Sequence, residues 1–563
     1  MDKKTMIVLV VLCAAFIALG FALRSEVPVE GLMIDESDML FEMFGYINGG
    51  PLRIHIVNCN LSLPLFLYAP IIRRVPTPYN TQRLIYGLEI AVGQGMILCA
   101  AYMLFGVYGL FISALTFIVS RIGLAPHIIP HGTTRLFLPI GGFLLIFAGF
   151  SHSDSVRGRH LWGCSVLTGV VIFWAMFSYP GGRPLILAAP LVWVYLLVSR
   201  KTGVWEGILS LLVCFLVAYL LGFGYASLCH DGGATFRERL RVVTNVFFFH
   251  RGWGRYVPPS RYWPNTVILY RQFFDPGQND YAAASNMLSA VRAPALPRHV
   301  VPLVVGVLCA MLVDLSRMIR TRPVPADLRR RFLRDLFLLL FFLVGISPAI
   351  ISDQPVLRRS LLGISAIVIL CGRPFITARR FPVTRKACSW AVAALVLLSS
   401  VYTGGLLRGE YFKHVPYHRA GPTKRMYEVV RALRERKDIE IIFIPDGLPY
   451  LFTCFYGDPA FAKALANRVV PWERVPGYIA GAKGKTVVGI VIENKDLTDF
   501  LAEHVPPGMD GVACHIGRKI ASDQSISIWN DFSVACWGEK CDLVESLLPQ
   551  PQSVMPFPDE PNR

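Results

Sequence analysis

The 563-residue chain carries 56 Lys and Arg against 38 Asp and Glu, a formal net charge of +18, yet 54% of its residues are hydrophobic and only 17% are charged. Soluble domains carry about a quarter charged residues. A composition this poor in charge, with repeated apolar runs near the roughly 20 residues needed to cross about 30 Å of hydrocarbon, excludes an ordinary soluble protein. The positive balance does not point to nucleic acid, because no interleaved basic and aromatic module stands out and cytoplasmic loops of membrane proteins collect Lys and Arg.

Met1 to Lys4 is short and basic, and the apolar run Thr5 to Leu23 follows. The run lacks a clear small-x-small cleavage site, so it reads as a signal anchor with the N-terminus inside. Further spans are predicted near 83–104, 105–121, 134–150, 162–178, 183–199, 204–225, 301–318, 334–351, 358–373 and 388–406, about eleven in all. The spans at 83–104 and 105–121 share a very short turn, and the spans as a set are mostly clean of charge. With the N-terminus inside, the cytoplasmic loops are 151–161 (Arg157, Arg159), 200–203 (Arg200, Lys201), 319–333 (Arg320, Arg322, Arg329, Arg330, Arg331) and 374–387 (Arg379, Arg380, Arg385, Lys386), all basic. The outer loop 123–133 and the segment 179–182 are nearly uncharged, as the positive-inside rule requires.

This topology makes 1–406 a transmembrane domain with external loops 24–82 and 226–300, and places 407–563 outside. The second loop is rich in Arg, Trp and Tyr (Arg251, Trp253, Arg255, Tyr256, Arg261, Tyr262, Trp263), a composition suited to the membrane interface. Residues 407–548 read as a soluble α/β domain: a basic helix at Met426–Arg436, buried strands at Ile439–Ile444 and Thr486–Ile492, and a half-wet strand at Ser525–Trp529. The Pro-rich tail 549–563 reads as disordered. Pro445-Asp-Gly447 and Gly481-Ala-Lys-Gly-Lys485 read as turns, the latter lacking the ending of a P-loop. Of 13 cysteines, those in or beside spans read as small packing residues. Cys454, Cys514, Cys536 and Cys541 in the C-terminal domain suit one or two disulfides in an oxidising compartment.

The first external loop opens with Gly31-Leu-Met-Ile-Asp-Glu-Ser-Asp-Met-Leu40, which clusters Asp35, Glu36 and Asp38 between apolar residues. Carboxylates held near a membrane face are costly and so are functional candidates. A helical stretch 41–50 follows, then Ser62-Leu-Pro-Leu-Phe-Leu-Tyr68 leads toward the second span. A first span, an external loop with Asp-Glu, an interfacial helix and a Pro-Leu-x-x-Tyr-like segment ending at Tyr68 resemble the GT-C class of membrane glycosyltransferases. Protein O-mannosyltransferases and the aminoarabinose transferases of lipid A are the nearest in pattern. The number of spans, the mid-chain loop and the external C-terminal domain fit the same plan.

The resemblance implies transfer of a sugar from a polyprenyl-phosphate donor to a lipid, glycan or protein acceptor on the periplasmic face of a bacterial inner membrane. Asp35 would take the acceptor hydroxyl proton in a single displacement with inversion, and Glu36 would support it. Arg358 and Arg359, with Arg255, Arg261 and Arg271, would meet the departing lipid phosphate. The next outer loop departs from relatives that carry a second acid there: it offers His127 and His131, then Arg135, and no carboxylate. A divalent metal therefore has no support, and no cofactor is implied. Each residue also has a structural reading. Asp35 and Asp38 would suit helix caps, the Arg pair would suit interface anchoring, and the histidines would suit packing. Two other functions compete: a transporter or flippase for lipid-linked sugars, which needs charge deep within spans, and a non-catalytic assembly protein.

Overall fold

A computed structural model describes residues 3–26, 78–128, 134–230, 233–249, 257–274, 295–321, 323–352, 357–374, 385–408, 430–433, 436–443, 470, 474–482, 485–491, 511–516, 532–537, 540 and 543. The chain divides into two compact units, one containing the helices up to residue 408 and the other the C-terminal sheet. The helices of the first unit are α1 (Lys3–Glu26), α2 (Pro78–Ile118), α3 (Arg121–Ile128), α4 (Phe137–His152), α5 (Gly158–Ser178), α6 (Pro184–Val198), α7 (Val204–Leu228), α8 (Phe236–Thr244), α9 (Tyr262–Phe274), α10 (Val300–Arg320), α11 (Ala326–Ile350), α12 (Leu361–Leu370) and α13 (Arg385–Leu406). Six described helical stretches are long and apolar enough to cross a membrane: Lys3–Leu23, Leu84–Ile118, Gly158–Ser178, Val204–Leu228, Val300–Arg320 and Ala326–Ile350. Four shorter apolar helices accompany them: Phe137–His152, Pro184–Val198, Leu361–Leu370 and Ala393–Leu406.

The helix α2 is two arms rather than one rod. Gly106 has φ 69° and ψ −161°, a conformation that essentially only glycine adopts. Gln94 Nε2 donates to the Gly123 carbonyl at 3.1 Å, and His127 Nε2 meets Gln94 Oε1 at 2.8 Å. In a continuous helix residues 94 and 123 would lie roughly 44 Å apart, so the chain must double back at Gly106. The expected short turn between the spans at 83–104 and 105–121 is this residue. Part of the expected loop 123–133 is helical, in α3.

Small residues set the packing. On α7 the buried stripe is Gly207, Ser210, Cys214, Ala218 and Gly222, recurring every three to four residues. It faces α5 so closely that a Cβ on Gly169 would lie 2.6 Å from the Cys214 carbonyl oxygen. The opposite stripe, Leu209, Leu212, Leu216 and Leu220, is exposed. Small residues inside and large apolar residues outside are the arrangement of a helix whose solvent is lipid. The same device joins α2 to α4, where a Cβ on Gly141 would approach the Gly93 carbonyl to 2.3 Å.

The other unit contains β1 (Ile439–Phe443), α14 (Val475–Gly481), β2 (Thr486–Val491), β3 (Gly511–Ile516) and β4 (Phe532–Trp537). The strand order is β1-β2-β4-β3, with β1 and β2 parallel and the other pairs antiparallel. Ile442, Val487, Trp537, Val475 and Ile479 form its buried cluster. The β1 and β2 strands match the sequence expectation. Helix is described at 430–433, within the expected 426–436, and Lys485 closes a turn onto the Ala482 carbonyl at 3.1 Å. A hydrogen bond from Lys540 holds the Asp438 carboxyl below its ordinary range. Cys536 is disulfide-bonded, whereas Cys13, Cys99, Cys164, Cys214, Cys309 and Cys371 of the helical unit are free thiols. The expected strand 525–529, the turn 445–447 and the tail 549–563 lie outside the described residues.

Candidate active site

One end of the helical unit gathers polar groups along a set of short 3₁₀ turns. The turn Thr134–Leu136 leads into α4, Pro180–Gly182 leads toward α6, and Leu357–Ser360 leads into α12. A Cβ on Gly181 would lie 3.0 Å from Leu136 Cδ1, so the first two turns touch. The second packs on Leu357–Ser360, which in turn packs on α9. Each turn brings a cation: Arg135 in the first, Arg183 beside the second, Arg358 and Arg359 in the third. Arg135 is fully buried, and Arg183 and Arg359 are half-buried.

Arg135 has the most complete surroundings. Its Nε donates to Glu89 Oε2 at 2.6 Å and its Nη2 to Glu89 Oε1 at 3.0 Å, a two-pronged pair. The Tyr86 ring, one turn earlier on α2, lies 4.0 Å from its Cζ. The backbone holds the same geometry, because a Cβ on Gly93 would sit 2.2 Å from the Phe137 carbonyl carbon, two residues beyond Arg135. Beside it His127 bonds Gln94 and stacks on Phe16 of α1, with ring centres 6.0 Å apart. Among the sequence candidates, His127 is thus fully buried between Gln94 and Phe16.

The loop helix α9 docks at this end through Asn265, whose Nδ2 donates to the carbonyls of Ile350 at 2.7 Å and Ser352 at 2.9 Å. Ile350 is the last residue of α11 and Ser352 lies two residues beyond it, so Asn265 ties α9 to the end of that helix. Arg261, Trp263, Tyr270 and Arg271 of this segment are exposed, an amphipathic dressing suited to an interface. The structure thus brings the Arg358–Arg359 turn and the helix following Arg261 together. Asp35, Glu36, Asp38, Tyr68, His131 and Arg255 lie outside the described residues, as does the Arg358 side chain. Among the described residues no group of three or more His, Cys, Asp or Glu is placed to hold a metal ion.

The spans are mostly clean of charge, as expected, and the few charges within them are paired. Glu89 lies within α2, and a second buried network occupies the opposite end of the bundle. Arg373 Nη2 donates to Asp314 Oδ2 at 2.7 Å and its Nε to Asp335 Oδ2, while Arg334 donates to Asp335 Oδ1 at 3.0 Å. Arg334 Nη1 also reaches the Leu104 carbonyl at 2.8 Å. Sequence reasoning passed over Glu89 and Asp314 because each is a single charge in a long apolar run, and over Asp335 because it sits at the end of the basic stretch Arg329–Arg334. A lone intramembrane carboxylate is nonetheless a signal to look for its partner.

No family model matches the sequence, and no curated protein matches it. The structure does match solved structures of ArnT from Cupriavidus metallidurans. The apo form aligns with TM-score 0.52 at 15% identity over 95% of this chain and 99% of that one. The form bound to undecaprenyl phosphate aligns with TM-score 0.50 at 14% identity over 93% and 97%. The chain has the ArnT-like GT-C fold. The GT-C resemblance drawn from the Asp35-Glu36 segment therefore agrees with the fold of nearly the whole chain.

Proposed function

We propose that the protein is a GT-C-type glycosyltransferase that moves a sugar from a polyprenyl-phosphate donor to an acceptor at the external face of a bacterial inner membrane. The observation that carries this reading is the likeness to ArnT along nearly its full length, one form of which is bound to undecaprenyl phosphate. The run of Arg135, Arg183 and Arg359 along touching turns supports it chemically, because a departing lipid phosphate gains charge that fixed guanidinium groups stabilise. In this reading Asp35 accepts the proton of the acceptor hydroxyl as its oxygen attacks the anomeric carbon. The bond to the phosphate oxygen breaks with inversion, the lipid phosphate leaves, and Glu36 supports the base. Arg358, Arg359, Arg255, Arg261, His131 and Tyr68 contact the donor.

The finer topology belongs to the same proposal: eleven spans, the N-terminus cytoplasmic, and 407–548 a periplasmic α/β domain that helps select the acceptor. The reversal at Gly106 supports an odd number of spans. The disulfide at Cys536 supports an oxidising compartment for the C-terminal domain, in contrast to the free thiols of the helical unit.

The test is donor turnover by purified protein in liposomes with a panel of polyprenyl-phosphate sugars, comparing wild type with Asp35→Asn. Release of lipid phosphate by wild type and its loss in the folded variant is the expected result. Equal activity in both would remove Asp35 as the base, and wild-type inactivity with every donor and acceptor pair would remove the transferase reading.

A further inference from the structure

We infer that Glu89 is a positioning residue: through its two-pronged pair with Arg135 it sets the direction in which that guanidinium is presented at the polyprenyl-phosphate end of the bundle. The inference rests on the transferase reading above, and it adds a residue on a different helix from every candidate named there.

Glu89 and Arg135 are both essentially removed from solvent, with side-chain exposures of 5% and 0%. An ion pair in such a place gains little net stability, because desolvation offsets most of the attraction, and an apolar pair of similar volume often serves as well or better. What an apolar pair cannot do is hold a planar cation in one orientation. Three constraints do so here. The carboxylate takes Nε and Nη2 together, which fixes the plane of the guanidinium. The Tyr86 ring at 4.0 Å covers a face of it. Gly93 lets the backbone at Phe137 pack directly on α2, which seats the turn bearing Arg135 against the helix that carries Glu89. Glu89 and Tyr86 lie one helical turn apart on the same arm, so a single rigid element supplies both side-chain contacts. The neighbouring turns then carry Arg183 and Arg359 at the same end.

The sign of the effect separates positioning from charge alone. If Arg135 acted only as a positive charge, removing its carboxylate would strengthen binding of an anion. If orientation matters, the same change weakens binding. The experiment measures the affinity of purified, detergent-solubilised protein for undecaprenyl phosphate, with thermal unfolding followed in parallel. Glu89→Gln is expected to weaken binding by roughly tenfold or more, the scale of a misplaced contact. The double variant Glu89→Met with Arg135→Met, which replaces the pair by apolar volume, is expected to unfold at or above the wild-type temperature and still bind weakly. Binding by Glu89→Gln that equals or exceeds wild type overturns the inference, as does wild-type affinity in the stable double variant; both leave the transferase reading standing. Absence of binding by wild-type protein itself removes that reading, and the inference falls with it.

Discussion

The first arm of α2 has a buried ionic cluster at each end, Glu89 with Arg135 at one and the Arg334 network at Leu104 at the other, about 22 Å apart along the helix. The Glu89 pair is sealed from solvent and the other cluster nearly so, with Arg334 at 13% exposure, and both are held by Arg, but they differ in what they join. The Leu104 end is a chain of alternating charge, Asp314, Arg373, Asp335 and Arg334, drawn from α10, α11 and a residue three past the end of α12. It finishes on the Leu104 carbonyl, two residues before the reversal at Gly106, and Arg334 also covers the Phe105 ring at 4.4 Å. Every charge there is matched within the scaffold. The Glu89 end instead involves a turn among other turns that each carry a cation. The contrast teaches that buried charge in this protein has two uses, fastening helices at one end and orienting a cation at the other.

The sharpest way to break that division is to remove Asp335. Asp335→Ala leaves Arg334 and Arg373 buried without their shared carboxylate, and the expected loss is about 3–5 kcal/mol of stability. Thermal unfolding in detergent measures it. Affinity of the remaining folded protein for undecaprenyl phosphate should stay at the wild-type value; a change there would show that the two ends are not separate. Gly93→Ala probes the other end. The new Cβ meets the Phe137 carbonyl, and overpacking of this kind costs about 1–3 kcal/mol. Unlike Asp335→Ala, it should lower lipid-phosphate affinity per folded molecule, because the displaced backbone carries Arg135.

Lys201 offers a smaller contrast at a loop. Its Nζ donates to the carbonyls of Phe150 at 2.6 Å, Ser151 at 2.9 Å and Ser153 at 2.5 Å, closing the C-terminal end of α4. Lys201→Met should cost about 2 kcal/mol in the same unfolding measurement and leave lipid-phosphate binding unchanged. The basic loop 200–203 was read from sequence only as a topology signal, yet one of its two cations is a buried helix cap.

Much of the scaffold was legible because apolar runs near 20 residues have no other common use, and described helices fall on every predicted span. The β1 and β2 strands were legible for a similar reason: Ile439–Phe443 and Thr486–Val491 are rich in branched apolar residues. The strands Gly511–Ile516 and Phe532–Trp537 were missed because Gly, Ala, Ser and Cys give little strand signal, and pairing with each other and with β2 decides them. At the site, the basic residues could be named but not joined. Arg135 and Glu89 are 46 residues apart, and Arg373 is 59 from Asp314, so no local pattern announces either pair. Asp35 and Glu36 remain a proposal argued from the resemblance.

Gly106→Ala is the substitution with the smallest steric change and the most discriminating of how the arm behaves. A Cβ there would meet nothing within 4 Å, so the substitution adds no clash, and its cost is the backbone strain of a side chain in a glycine-only conformation, about 1–3 kcal/mol. Arg334 grips the chain two residues away at Leu104, while Gln94 grips the Gly123 carbonyl and His127 further along the hairpin. If these clamps hold the arms independently of the turn, stability falls slightly and undecaprenyl phosphate affinity does not move. A fall in affinity larger than the fall in stability explains would mean that the arm transmits a shift from its Gly106 end to Glu89. The two clusters would then be parts of one device rather than two.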